Sequence, residues 1–281
     1  MTDAQSSTCL VDLIVGARPN FMKVAPIIHA MQARAAEGGK LRFRLVHTGQ
    51  HYDRRMSGDF FTQLNIPEPD ENLAVGSGTQ AEQTGAIMAR YEALLHRKRS
   101  DLCIVVGDVT STMACAVTAQ KEHIPVAHVE AGIRAGDWTM PEEINRLVTD
   151  ASTNWFFTTS VTATDALRAT GVSEDRLFFV GNTMIDTLLA NQDRLRPPAL
   201  WLEQGLTPGE HLLLPLHRPS NVDEQYALLD MLGSISAEAR DKQVIFPVHP
   251  RTRKALDAQP SPGANIVMID TQPYLEFNYL L

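Results

Sequence analysis

The 281-residue chain is poor in cysteine: Cys9, Cys103 and Cys115 are the only three, and they form no CxxC pair or regular framework. Their spacing speaks against a thiolate metal site and against an exported disulfide scaffold. Cys103 lies in an apolar strand-like run and Cys115 in a helix-like one, so both read as structural. Basic charge is also short, with 25 Lys and Arg against 33 Asp and Glu. The overall field is negative and gives no general attraction for nucleic acid, so an anionic ligand must be met by local positive groups. Long hydrophobic runs are missing too. The longest, such as Leu102 to Gly107, have the length of a strand and fall far short of a membrane span. The polar stretch from Met1 to Cys9 has no basic segment ahead of an apolar one, so it does not read as a signal peptide, and a cytoplasmic location is expected. What remains is 44% hydrophobic and 21% charged residues, the composition of a soluble globular enzyme rather than a disordered chain. The length allows two α/β domains, or one whole domain and part of another.

Short apolar runs alternate with helix-like segments. Leu10 to Val15 ends in Gly16 and is followed, after Pro19, by helical periodicity from Lys23 to Arg34. The same unit recurs as strand Arg42 to Val46, helix Thr79 to Arg97, strand Asp101 to Val106, helix Ser111 to Lys121 and strand Val126 to Val129. Strands Asn154 to Thr158 and Arg176 to Val180 follow, separated by a helix rich in Ala and Thr. This alternation predicts a doubly wound parallel sheet. After Met184 to Leu189 the character changes, with three prolines between Gln192 and Gly209. Residues 1–189 are therefore read as one Rossmann-like domain and residues 190–281 as part of a second. The second offers strands His211 to Leu216 and Gln243 to Val248, a third at Asn265 to Ile269, and a helix around Gln225 to Leu232. It then closes on the apolar segment Tyr274 to Leu281, which reads as the beginning of a helix, so this domain is expected to be incomplete and to leave apolar faces uncovered.

In open parallel sheets ligands bind beyond the carboxyl ends of the strands, and here those positions are rich in chemistry. The first strand ends in Gly16-Ala17-Arg18-Pro19, with Lys23 one turn later. Glycine, a helix N-terminus and an arginine fork suit a phosphate, though a capped turn with a surface arginine would use the same residues. GxGxxG and GxxxxGK[ST] patterns are absent. The second strand ends in His47-Thr48-Gly49-Gln50-His51-Tyr52-Asp53. Gly49 makes this a loop, no HExxH pattern accompanies it, and polar ligand contact or local hydrogen bonding is expected rather than a metal. The third and fourth strands end in Gly107-Asp108 and Glu130-Ala131-Gly132-Ile133-Arg134, followed by Pro141-Glu142-Glu143-Ile144-Asn145-Arg146. Asp108, Glu130 and Glu142 would then share one rim with Arg18, Arg134 and Arg146. Carboxylates crowded in a partly dry site can separate into acid and base roles, whereas singly each could be a helix cap or a first-turn acid. His217-Arg218-Pro219 and His249-Pro250-Arg251 end two strands of the second domain, where histidine could move a proton or simply complete a strand end.

Taken in order, these segments resemble the non-hydrolysing UDP-N-acetylglucosamine 2-epimerases. The match runs from Gly16-Ala17-Arg18-Pro19-Asn20-Phe21-Met22-Lys23 through the histidine loop, Gly107 to Thr112, His128 to Arg134, Pro141 to Arg146 and Gly181-Asn182-Thr183 to Leu216-His217-Arg218-Pro219-Ser220-Asn221-Val222 and Pro247 to Thr252. The resemblance implies two Rossmann-like domains of glycosyltransferase-B-like architecture, with the active site between them. It implies a homodimer that interconverts UDP-GlcNAc and UDP-ManNAc with no cofactor, through elimination of UDP to 2-acetamidoglucal and re-addition. It carries Asp108, Glu130, Glu142 and His217 over as catalytic, with Arg18, Lys23, His47, Gln50, Arg134, Arg146, His217 and His249 on the substrate. Where a full-length relative would continue, after Leu281, into a strand and a Thr-Asp-Ser-Gly-Gly motif, this sequence stops, so weak or absent turnover by the chain alone is expected. Pro215 stands where a threonine is common, and proline fits a central strand poorly. A hydrolysing relative, releasing UDP and free N-acetylmannosamine, and an inactive nucleotide-sugar-binding remnant are the two alternatives.

Overall fold

A computed structural model describes residues 8–49, 60–216, 225–248, 252–253, 256 and 263–281. The chain divides into two compact units, Met1–Ala190 and Asn191–Leu281.

The first unit is built on strands β1 (Cys9–Val15), β2 (Leu41–His47), β3 (Glu71–Asn72), β4 (Leu102–Val106), β5 (Val126–Ala131), β6 (Trp155–Thr158) and β7 (Leu177–Phe179). They form one sheet in the order β3-β2-β1-β4-β5-β6-β7, with every pairing parallel. The crossovers are helices: α1 (Arg18–Ala36), α2 (Gln80–Arg97), α3 (Thr110–Lys121), α4 (Pro141–Ala151), α5 (Val161–Ala169) and α6 (Thr183–Asn191). Strands covered on both faces are largely apolar, which is why β4 reads as a continuous run and β1 as one broken only by Asp12. Ile14, Val46, Cys103 and Val105 pack one face against Tyr91 and Leu94 of α2 and Ala114 and Cys115 of α3. The small side chains of α3 let it sit close to the sheet. Burial pushes the thiols of Cys103 and Cys115 up, so neither is a ready nucleophile.

One ion pair lies inside this core. Asp12 and Arg44 are register partners on β1 and β2, and Arg44 Nε and Nη2 donate to the two Asp12 oxygens at 2.7 and 2.8 Å. Tyr91 adds a phenolic hydrogen bond of 2.9 Å. Buried charges demand this pairing.

Strand order reverses direction between β1 and β4, the switch point at which such sheets open a crevice. Asn20 stitches it. Its Oδ1 accepts from the amides of Gly16 and Ala17, each at 3.0 Å, and its Nδ2 donates to the Val106 carbonyl at 3.2 Å. The amides of Gly16 and Ala17 are therefore committed to Asn20.

The second unit carries a parallel sheet in the order β10-β9-β8, from β8 (His211–Leu213), β9 (Gln243–Val248) and β10 (Ile266–Asp270). β8 is shorter than the apolar run predicts. Its pairing ends when the Leu214 amide donates to Ile245, and Pro215, lacking an amide, follows immediately. Helix α8 (Gln225–Ala239) sets Leu228 and Leu232 against Phe246 and Val248. Ile245 and Ile269 are covered by Leu200 of α7 (Ala199–Glu203), Leu206 and Leu280, which follows α9 (Tyr274–Tyr279). These flanking segments cover part of the sheet, while Leu212 on β8, Leu202 on α7 and Leu281 stay exposed. No helix among the described residues is long and apolar enough to cross a membrane.

Candidate functional site

Beyond the carboxyl ends of β4 and β5, three carboxylates and their cations meet. Glu130, the penultimate residue of β5, has φ 72° at the point where the register with β6 shifts between Val129 and Ala131. This bulge re-aims the side chain, in a left-handed conformation that costs a non-glycine residue about 1–2 kcal/mol. The carboxylate receives Lys23 Nζ at 2.6 Å, a pair largely withdrawn from solvent. Lys23 also lies over Gly107: a Cβ on that glycine would stand 2.9 Å from Nζ. One ammonium therefore sits between Glu130 and the turn that carries Asp108.

Asp108 is held from α4. Arg146 Nη2 meets its Oδ2 at 2.5 Å, and the Asn145 amide donates to its carbonyl at 2.8 Å. Arg146 Nη1 reaches Glu143 at 2.8 Å. Glu143 is buried and also accepts the amides of Ala135 and Gly136 at 2.9 and 3.1 Å. Burial raises its pKa, but those amides and Arg146 outweigh it and hold the carboxyl below its ordinary value. Glu142, one residue earlier on α4, is half-buried and has no ion-pair partner among the described residues. Of two adjacent acids in one helical turn, one is thus fixed as a brace and the other is left with its carboxylate open.

A further group links these turns from beneath. Asp150, also on α4, accepts His128 Nδ1 at 2.7 Å, Arg134 Nη2 at 2.7 Å and the Gly132 amide at 3.2 Å. His128 Nε2 lies 2.8 Å from the Gly107 carbonyl. Burial opposes charge on Asp150, yet His128 and Arg134 lower its pKa.

His47 sits in the core rather than at a rim. Its ring is buried, stacks on Phe21 with centroids 5.6 Å apart, and accepts the Gly49 amide at Nδ1, 2.8 Å away. Burial lowers its pKa to about 4. Arg18 opens α1, with its side chain outside the described residues, as are Gln50, His217 and His249. The structure thus brings together Lys23, Asp108, Glu130, Arg146 and, through Asp150, Arg134. Sequence reasoning alone does not single out Glu143, Asp150 or His128. The arginine three residues after Glu143 and the histidine inside the apolar run Val126 to Ala131 were the available signals.

A family model described as UDP-N-acetylglucosamine 2-epimerase matches residues 33–281. Among curated proteins, the chain is 37% identical over 277 residues to the UDP-N-acetylglucosamine 2-epimerase of Methanocaldococcus jannaschii, covering 95% of this chain and 74% of that protein. It is 35% identical over 272 residues to the UDP-2,3-diacetamido-2,3-dideoxy-D-glucuronate 2-epimerase of Pseudomonas aeruginosa, covering 95% and 74%. Among solved structures, the Methanocaldococcus jannaschii enzyme in complex with UDP-GlcNAc and UDP matches with a TM-score of 0.83 at 37% identity, covering 96% of this chain and 76% of that one. The Neisseria meningitidis enzyme bound to UDP-GlcNAc also gives 0.83, at 26% identity, covering 96% and 75%.

Proposed function

The chain belongs to the UDP-N-acetylglucosamine 2-epimerase family, and from that premise we propose that it interconverts UDP-GlcNAc and UDP-ManNAc without hydrolysing them. The observation that carries the reading is the placing of Asp108 and Glu130 at adjacent strand ends, each against a cation, Arg146 and Lys23.

The chemistry needs both signs. A C2 proton beside an acetamido group is weakly acidic, so a carboxylate removes it only as the C1–O bond to UDP breaks. The C–H electrons become the C1=C2 bond of 2-acetamidoglucal, and the departing diphosphate takes the C1–O pair. Re-addition of UDP at C1, with protonation of C2 from the opposite face, completes inversion. We assign proton transfer to Asp108, Glu130 and the open carboxylate of Glu142, with no fixed order among them. Lys23, Arg146, Arg134 and Arg18 are assigned to the charge developing on the diphosphate, and Gln50, His217 and His249 to the bound nucleotide sugar. His47, its ring committed to the Gly49 turn, would shape that loop and reach substrate only through it. A cytoplasmic homodimer completes the reading on family resemblance.

Exchange of the C2 hydrogen of UDP-GlcNAc in deuterated water, followed by NMR, tests the proposal. The full chain should incorporate deuterium at C2 and form UDP-ManNAc, and Lys23→Met should slow this about 10²–10³-fold. Stoichiometric free sugar and UDP would replace epimerisation with hydrolysis, and binding without exchange would leave the inactive-remnant reading. The Pseudomonas relative supports a second substrate, the UDP-diacetamido-glucuronate, which the same assay compares directly.

A further inference from the structure

We propose that His128 is a positioning residue for this reaction, a doubly protonated imidazolium that clamps the Gly107 turn and so fixes Asp108; this rests on the epimerase reading above. The argument is one of donors and acceptors. Nδ1 of His128 lies 2.7 Å from a carboxylate oxygen of Asp150, and Nε2 lies 2.8 Å from the carbonyl oxygen of Gly107. A carbonyl only accepts, and so does an ionised carboxylate. A neutral imidazole has one N–H, so it would leave one of these short contacts as lone pair against lone pair in a fully buried place. The alternative, a proton on Asp150, is opposed by its surroundings: the same carboxylate takes Arg134 Nη2 at 2.7 Å and the Gly132 amide at 3.2 Å.

The clamp joins three pieces of backbone. Asp150 on α4 ties the end of β5 at Gly132, and His128 in β5 ties the end of β4 at Gly107. Gly107 has φ 70°, and the residue after it is Asp108. Asp108 is itself held from α4 by Arg146 and Asn145. Strand ends and helix are therefore cross-linked on both sides of the proposed acid, and the two ring nitrogens of His128 meet Asp150 and the Gly107 carbonyl rather than Asp108 itself. The charged groups facing it are Asp150 and, across that carboxylate, Arg134.

Two measurements test the clamp. In ¹⁵N-histidine NMR of the intact chain at neutral pH, His128 should carry a proton on both ring nitrogens. A single protonated nitrogen would overturn the proposal whether or not the chain turns over. Kinetically, asparagine reproduces the δ nitrogen of histidine and glutamine the ε nitrogen. His128→Asn, which keeps only the contact with Asp150, should lower kcat for C2 exchange about a hundredfold with KM unchanged. His128→Gln, which keeps the hydrogen to Gly107, should retain most of the rate. Equal rates for the two variants, or a loss carried in KM, would make His128 a structural residue only. Absence of exchange by the wild-type chain would sink the proposed function, while the ring-proton count would still decide the clamp. A variant that fails to fold leaves that count, on the wild-type protein, as the deciding measurement.

Discussion

Glu130 occupies a backbone conformation that glycine holds without strain and glutamate does not. Two variants separate the backbone from the carboxylate. Glu130→Gly should be more stable than Glu130→Ala by about 1 kcal/mol in urea unfolding, since only glycine relieves the strain, while both lose C2 exchange. If alanine were as stable as glycine, the strain would be absent. His47 makes a second prediction, on pH. Its pKa falls from 6.5 to about 4 in the folded chain because burial disfavours the charged ring. Between these values the unfolded chain binds more protons than the folded one. The stabilisation is therefore complete above pH 6.5 and is lost as pH falls toward 4, a change of roughly 3 kcal/mol. Unfolding free energies at pH 7 and 4.5 should show this drop, and His47→Gln should flatten it. Asp150 and Glu143, whose pKa values are lowered, add their loss only at more acid pH, below the ordinary carboxylate range.

Among the elements, helix α5 lies directly against the turn after β5. A Cβ on Gly132, where φ is 79°, would stand 2.3 Å from the Ala163 carbonyl oxygen. Gly132→Ala should therefore cost about 2–4 kcal/mol and reduce the folded yield. Gly85 lies inside α2 and has open space at that position, so Gly85→Ala should raise stability by about 1 kcal/mol in thermal melts. The same elements show what the sequence disclosed. Strands buried on both faces are mostly apolar, so β1, β4 and β5 were legible with nearly their true bounds, as was β2 despite Arg42 and Arg44. The two-residue β3 carries no pattern at all. β8 was over-read because its apolar run continues to Leu216, past the point at which the partner strand stops pairing. The acids at strand ends were legible because topology alone puts them on one rim. Their supports were not. Glu142 and Glu143 are adjacent in sequence, and only tertiary contacts with Ala135, Gly136 and Arg146 determine which one turns inward.

At the scale of the molecule, the two units differ in size and in sheet, with seven strands against three among the described residues. Smaller units bury a smaller share of their surface and are correspondingly marginal. Scanning calorimetry of the full chain should resolve two transitions, with the 191–281 unit melting first. A single cooperative peak would show the units to be energetically coupled.

The Asp12–Arg44 pair has a bearing on how the larger sheet finds its alignment. Most of the other side chains facing across β1 and β2 are apolar and interchangeable in kind, so they tell one register from the next less sharply than a charge does. A slip by one step would set Arg44 beside Leu13 instead of Asp12 and strand two naked charges in oil. Arginine and aspartate thus work as lock and key for the zipper, favouring the one threading that matches them.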